Sequence, residues 1–514
     1  MIYTYRHFAT ERENKKIQTD VCIVGSGAGG AAAAYEFSQA GYSVVVLEAG
    51  DFLLPRDFNQ REDSMFPRLF YDSGSRRTQD RAIRVLHGKG VGGSTLHNLN
   101  LCKRPPEILI EKWGLQNFNA TTFMPFVERV EKKLSVKEIL PHELNQNNVL
   151  IKKGIESLGY RGGFLKHNRQ GCVGSGFCEL GCAFDAKLNA LRVFLKEALE
   201  KNITIFANTL AIKLVYEDRK VKKILARVIN PESYKAHAQL EISAKIFCCA
   251  AGSIETPLFL MRSEVPDPKH LIGSRLYLHP GGAVAGIFSK KVELWKGIPQ
   301  SVECTEFLSF ENPNKRIWIV AGSAHPVGAA SFLPGFGSEH ASLMASYPYM
   351  ACLSAMVHDE SCGSVKAKNG FYPVIDYKLT PSDQEQLNLG FKECAKILEK
   401  AGAEQVIEPF PNLSQNILSR PDETRSYHYP SPRLRVDARH VSAPVDLVSV
   451  HPMGSVWMGN DPKKSCLDGF GRYHHLDNLF VCDASVYPSS LGVPPQISTY
   501  AIGLYVATFA KQSL

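Results

Sequence analysis

Residues 20–50 read DVCIVGSGAGGAAAAYEFSQAGYSVVVLEAG, and this stretch decides the fold. Val21 to Val24 is a short β-branched run, Ala31 to Ala40 is an alanine-rich helical segment, and Ser43 to Leu47 is a second apolar run. A strand, a helix and a strand packed this tightly make one βαβ unit. Gly25, Gly27 and Gly30 form GxGxxG at the first strand–helix turn. Glycines there let backbone N–H groups approach a pyrophosphate, and the helix N-terminus adds partial positive charge. Glu48 closes the second strand, about 20 residues on, where an acid accepts hydrogen bonds from an adenosine ribose and disfavours a 2′-phosphate. The unit predicts dinucleotide binding without separating NAD from FAD.

The rest of the chain sets limits on the reading. At 514 residues it exceeds what one hydrophobic core serves, so two structural units are expected. Composition is that of a globular protein, with 44% hydrophobic and 21% charged residues. Net charge is +8 with the signs interspersed, which predicts no nucleic-acid partner and leaves room for a membrane face. Residues 1–20 carry charges of both signs and no signal-like apolar run, and Ile497 to Ala510 is shorter than the roughly 20 residues of a membrane span. No transmembrane segment is therefore expected. Thirteen cysteines, an odd number in a long chain, argue against a disulfide framework and for a cytoplasmic location, peripheral membrane association remaining open.

Three later segments favour flavin. Residues 88–98 read GKGVGGSTLHN, residues 251–257 read AGSIETP after the apolar run Ile246 to Ala250, and HPMG at 451–454 precedes HLDNLFVCDASVYPSSLGVPPQISTYAIG from His475 to Gly503. In this order and spacing, from Asp20 to about Ala510, they resemble the glucose–methanol–choline (GMC) oxidoreductases. The segment Asp359 to Ala401 and the cysteine-rich stretch at 172–182 resemble the long-chain alcohol oxidase and sterol oxidase-like bacterial branch.

The resemblance implies an α/β (α+β) fold. A Rossmann-like FAD-binding domain would be built from residues 15–120, 165–290 and 440–514, and a substrate-binding domain with an antiparallel sheet from 121–164 and 291–439. It implies oxidation of the CH–OH group of an alcohol by hydride transfer to FAD, with oxygen, a quinone or a cytochrome as electron acceptor. It places Gly92, Gly93, Ser94 and Asn98 against the isoalloxazine, a turn around Ala211 at the adenine, and Asp483 and Ala484 by the ribityl chain and pyrophosphate. The helix from Gln496 would point its N-terminus at the flavin pyrimidine, where that end stabilises negative charge.

By the same resemblance His451 is the catalytic histidine, and an imidazole suits general-base work. His279, in LYLHPGG, is read as structural. His97 occupies a position where some members bond the flavin covalently, and a non-covalent contact is the alternative. One residue departs from the pattern: Pro494 stands where an Asn or His is ordinary, and proline offers no polar side chain. That departure keeps two other readings open, a flavin-containing lyase and a catalytically silent FAD-binding protein. Cys172, Cys178 and Cys182 lack a clear fourth ligand, so no metal site is expected. The segment 328–357, nearly free of charge, reads as core or as the lining of a pocket for a hydrophobic alcohol.

Overall fold

The computed structural model describes residues 1–8, 14–407 and 447–514. The parts of the expected segments that cover 408–439 and 440–446 lie outside the described residues. The elements that position the site are, in chain order, β1 (Ile2–Tyr3), β2 (Val21–Val24), α1 (Ala28–Gln39), β3 (Val44–Leu47), β4 (Ile203–Phe206), β5 (Ile246–Cys249), α2 (Gly252–Arg262), β6 (Gly281–Ile287), β7 (Met350–Val357), α3 (Pro381–Ala401), β8 (Leu479–Val481) and α4 (Gln496–Ala510).

A six-stranded sheet runs β1-β4-β3-β2-β5-β8, every neighbour parallel. Helices cover such a sheet on both faces, so its strands need no polar alternation. β2, β3 and β5 are accordingly buried at every residue. α4 is apolar nearly all round and buried along most of its length, as a core helix must be. It meets α1 backbone to backbone: a Cβ on Gly503 would lie 2.2 Å from the Gly29 carbonyl oxygen. A four-stranded sheet of Thr209–Glu217, Lys220–Ile229, Ala236–Ser243 and Lys15–Gln18 flanks this unit.

The second unit centres on an eight-stranded sheet that includes β6 and β7, antiparallel over most of its width. α3 covers one face, and Leu387, Phe391, Cys394 and Leu398 share a core with Leu353 and Ala355 of β7. Thr380 caps the start of α3 by accepting from Asp383 N, and Gly402 ends it in the left-handed conformation.

Two stretches pack across the expected segment boundaries. The helix Ala120–Lys133, expected from residue 121 onward on the substrate side, has Phe123, Val127 and Val130 buried in the core that contains the parallel sheet, with the Phe123 ring 6.1 Å from that of Tyr505. Residues 281–287, assigned to the FAD side, are β6, paired along its length with β7. In both cases the apolar face follows the surface that buries it rather than its neighbours in sequence.

Candidate active site

The parallel sheet and the antiparallel sheet meet over one cavity of about 460 Å³. At its nucleotide end β2 turns sharply into α1. Gly25 has φ +97°, and a Cβ there would lie 2.3 Å from the Ala250 carbonyl oxygen, so only glycine fits. Gly27 opens α1 with no side-chain cap, which leaves helix N–H groups free for an anion. A Cβ on Gly30 would strike the Gly25 carbonyl at 2.1 Å, so this glycine keeps helix and strand close.

Glu48 is buried and binds protein donors on both carboxylate oxygens. It accepts from Ser26 N at 3.0 Å and Ser26 Oγ at 2.6 Å, from Gly50 N at 2.9 Å and from Gly90 N at 3.1 Å. The acid expected at a ribose therefore also ties three loops together at the cavity wall. Ser26 Oγ in turn accepts from Gly92 N at 3.1 Å. Gly93 closes on Gly27, and Ser94 Oγ accepts from Gly88 N at 3.0 Å.

Ala211 lines the cavity, but on the strand Thr209–Glu217 rather than in the turn expected of it. Its carbonyl accepts from the Arg262 guanidinium at 3.0 Å. Asp483 lies at the cavity wall with its carboxylate turned onto protein, accepting from Gly252 N at 2.8 Å, Thr256 Oγ1 at 2.6 Å and Ser485 N at 2.8 Å. It thereby holds the start of α2 against the turn that begins at Ala484. Burial raises its carboxyl above the ordinary range.

Asn98 and Gln496 hydrogen-bond each other directly, and Gln496 Nε2 also donates to the Leu101 carbonyl at 3.2 Å. The Gln496 side chain thus anchors the 88–98 loop to the first turn of α4. His97 is buried beside Phe70, ring centroids 4.0 Å apart, and its Nε2 has no hydrogen-bond partner. Burial, reinforced by Lys187, lowers its pKa to about 3, which keeps the ring neutral. Lys187, which the sequence did not single out, is buried to 1% exposure. It donates to the carbonyls of Leu96 at 3.1 Å, Cys178 at 2.7 Å and Asn98. The signal was faint: one lysine just after the cysteine-rich stretch.

That stretch brings Cys172, Cys178 and Cys182 around a separate pocket of about 20 Å³. Burial raises the Cys178 thiol to about 11, so it is not a ready thiolate. Among the described residues no cluster of histidine, cysteine or acid side chains is arranged to hold a metal ion.

His451, Pro494 and Pro495 also line the cavity. His451 Nδ1 lies 3.1 Å from Nδ1 of His279, and the rings stack with centroids 5.1 Å apart. Burial lowers His451 to about 3 and drives His279 well below the usual imidazole range. Sequence reading separated the two roles, whereas the fold places the two rings in contact. Another part of the wall is largely apolar. Met350, Cys352, Ser354 and Met356 of β7 face the cavity, while Ala351, Leu353, Ala355 and Val357 enter the core shared with α3. The period of two divides the strand at the end of the segment 328–357 between lining and core.

Uncapped helix N–H groups, close-packed glycines and the solitary His97 nitrogen at one cavity fit a flavin dinucleotide. The comparisons agree. The GMC oxidoreductase family matches an N-terminal part at residues 66–281 and a C-terminal part at 360–503, and an NAD(P)-binding Rossmann-like domain matches 23–58. The long-chain-alcohol oxidase FAO1 of Arabidopsis thaliana is 29% identical over 98% of this chain and 68% of its own. An uncharacterized GMC-type oxidoreductase, Rv0492c of Mycobacterium tuberculosis, is 29% identical over 96% of this chain and 76% of its own. The fold is shared with pyridoxine 4-oxidase from Mesorbium loti, at TM-score 0.70 and 19% identity over 96% of this chain and 98% of that one. It is shared too with a formate oxidase of Aspergillus oryzae, at TM-score 0.69 and 14% identity over 97% and 99%. The chain belongs to the GMC oxidoreductase family and is an FAD-dependent alcohol oxidoreductase.

Proposed function

We propose that the substrate is a hydrophobic alcohol, long-chain or sterol-like, and that His451 is the general base that takes its hydroxyl proton. The alternating lining of β7 carries this reading: a wall of Met350, Cys352, Ser354 and Met356 suits an alkyl body and offers few partners to a sugar. FAD, when bound, supplies the acceptor for the hydride at its N5. Gly25, Gly27, Gly30 and Glu48 would hold its adenosine diphosphate part. Gly92, Gly93, Ser94, His97 and Asn98 would wall the ring, with Ala211, Asp483, Ala484 and Gln496 framing the remainder.

The base must be neutral before it accepts a proton, and burial keeps His451 so. The apolar wall excludes water and aligns the carbinol with the base, while the N-terminus of α4 lends partial positive charge to the same cavity. Pro494 gives the substrate oxygen no side-chain partner, and Gln496 is engaged with Asn98 and Leu101. His451 is thus the polar side chain on which deprotonation rests. Oxygen is the proposed electron acceptor, since several relatives are named oxidases.

Anaerobic addition of primary alcohols of increasing chain length and of sterols to the holoenzyme tests the reading. Long-chain or sterol alcohols are expected to bleach the flavin, and His451→Ala to slow bleaching 10²–10⁴-fold at unchanged FAD content. Product formed without bleaching would establish the lyase chemistry instead. Bleaching by sugars alone would overturn the substrate class.

A further inference from the structure

His451, which lines the cavity, lies against His279, and the contact between the two rings has room for one proton. With the Nδ1 atoms of His279 and His451 3.1 Å apart, one nitrogen donates and the other accepts. If His279 donates, the proton of neutral His451 sits on Nε2, and no bare nitrogen is left to receive a hydroxyl proton. If His451 donates, its Nε2 is bare. The hydrogen bond at one ring nitrogen therefore sets what the other can do.

The reading of His451 as the base requires the second arrangement, with His279 accepting, and the surroundings of His279 hold its ring in place for that role. It is fully buried, and burial keeps its ring neutral, so it retains one nitrogen able to accept. Its backbone lies at φ +48°, a conformation that a non-glycine side chain adopts only where the surroundings enforce it. Beside this turn the buried Asp359 carboxylate accepts from Leu278 N at 2.9 Å and from the Tyr377 hydroxyl at 2.7 Å. The turn thus holds the ring 3.1 Å from His451. Accepting at Nδ1 leaves the proton of His279 on its buried Nε2, which has no partner among the described residues, a cost set against the bare Nε2 it secures on His451.

We infer that His279 is the positioning residue that fixes the tautomer of His451, accepting its Nδ1–H so that Nε2 is free to take the substrate proton. The inference rests on the reading of His451 as the base. When His451 has taken the proton, both of its nitrogens carry hydrogen, and His279 Nδ1 remains the acceptor for one of them. An imidazolium formed in a buried site without such an acceptor would carry the cost of an unsatisfied charged N–H, so the pair lowers the barrier to proton transfer.

The test reads the tautomer directly. In ¹⁵N-histidine-labelled holoenzyme, with peaks assigned through His279→Asn and His451→Gln, His451 is expected as Nδ1–H with a bare Nε2, and His279 as Nε2–H. The opposite assignment overturns the inference. In stopped-flow reduction by a saturating alcohol, His279→Leu is expected to fall about 100-fold. His279→Asn, whose amide oxygen supplies an acceptor, is expected to stay within about tenfold of the parent. Equal rates for the two variants overturn it. Should His279→Leu not fold, a His279→Asn rate as low as that of His451→Gln does the same. If His451→Gln reduces as fast as the parent, the base reading fails, while the tautomer result stands by its own outcome.

Discussion

Gly93 stands so close to Gly27 that a Cβ on it would lie 2.7 Å from the Gly27 Cα, which joins the 88–98 loop to the dinucleotide turn backbone against backbone. Gly93 also has φ +55°, so alanine there meets both a clash and an unfavourable conformation. Gly93→Ala is expected to weaken FAD binding at least tenfold and to lower thermal stability. Flavin titration of the apoprotein, followed by fluorescence, measures the first. Unchanged affinity would show that the loop moves freely relative to α1.

Lys187 joins the same loop to the cysteine-rich stretch through three carbonyls. Lys187→Met keeps much of the volume and leaves those carbonyls without their donor. A loss of about 3 kcal/mol or more in unfolding free energy is expected, at about 1–3 kcal/mol for each unsatisfied buried group. Denaturant unfolding of the two proteins measures it. A change below about 1 kcal/mol would show that water replaces the ammonium.

Glu179 faces the cavity, and burial, with Glu62 nearby, pushes its carboxyl up to about 7 from the ordinary 4.5. The sign follows from proton binding. Between those two values the folded protein holds the proton more tightly than the unfolded chain, so Glu179 lowers stability progressively as pH rises through that window. Glu179→Gln is expected to raise stability at pH 8 by on the order of 1–3 kcal/mol, and to leave it nearly unchanged at pH 4. Melting of the apoproteins at the two pH values checks this, and an equal shift at both would refute it.

Ala285 lies on β6 at the cavity wall. Ala285→Phe narrows the space available to an alkyl body. Its kcat/KM for long-chain alcohols is expected to fall at least tenfold relative to short-chain ones, the scale at which a pocket discriminates a few methylenes. Uniform loss across chain lengths would place the alkyl body elsewhere.

His97 Nε2 packs toward Gly88, where a Cβ would lie 2.2 Å from it, and against Phe70. A nitrogen enclosed in this way is expected to contact the bound cofactor without bonding to it. Acid precipitation of the holoenzyme is expected to release the flavin into the supernatant. Colour retained in the pellet, and lost in His97→Ala, would establish the covalent link.

Much of this molecule was legible from its sequence. The βαβ unit needs only local terms: β-branched strands, an alanine-rich helix and glycines where backbone approaches backbone. These elements form within a few residues of where they were expected, α1 beginning at Ala28 and β3 at Val44. The apolar segment 328–357 was ambiguous because hydrophobicity alone does not say which face of a strand meets a core and which meets a cavity. That choice required α3 to cover one side of β7.

The sequence by itself determined the dinucleotide unit, the family and the identity of His451 as the histidine to examine, because each resides in contiguous residues at fixed spacing. Only the tertiary structure decided that the helix at 120–133 belongs beneath α4, that Lys187 joins two loops, and that His279 touches His451 across 172 positions of chain. The physical reason is the same in each case. A buried surface, a buried ammonium and a buried imidazole are satisfied by whatever the fold brings within reach, and that partner leaves no mark on the residues beside them in sequence.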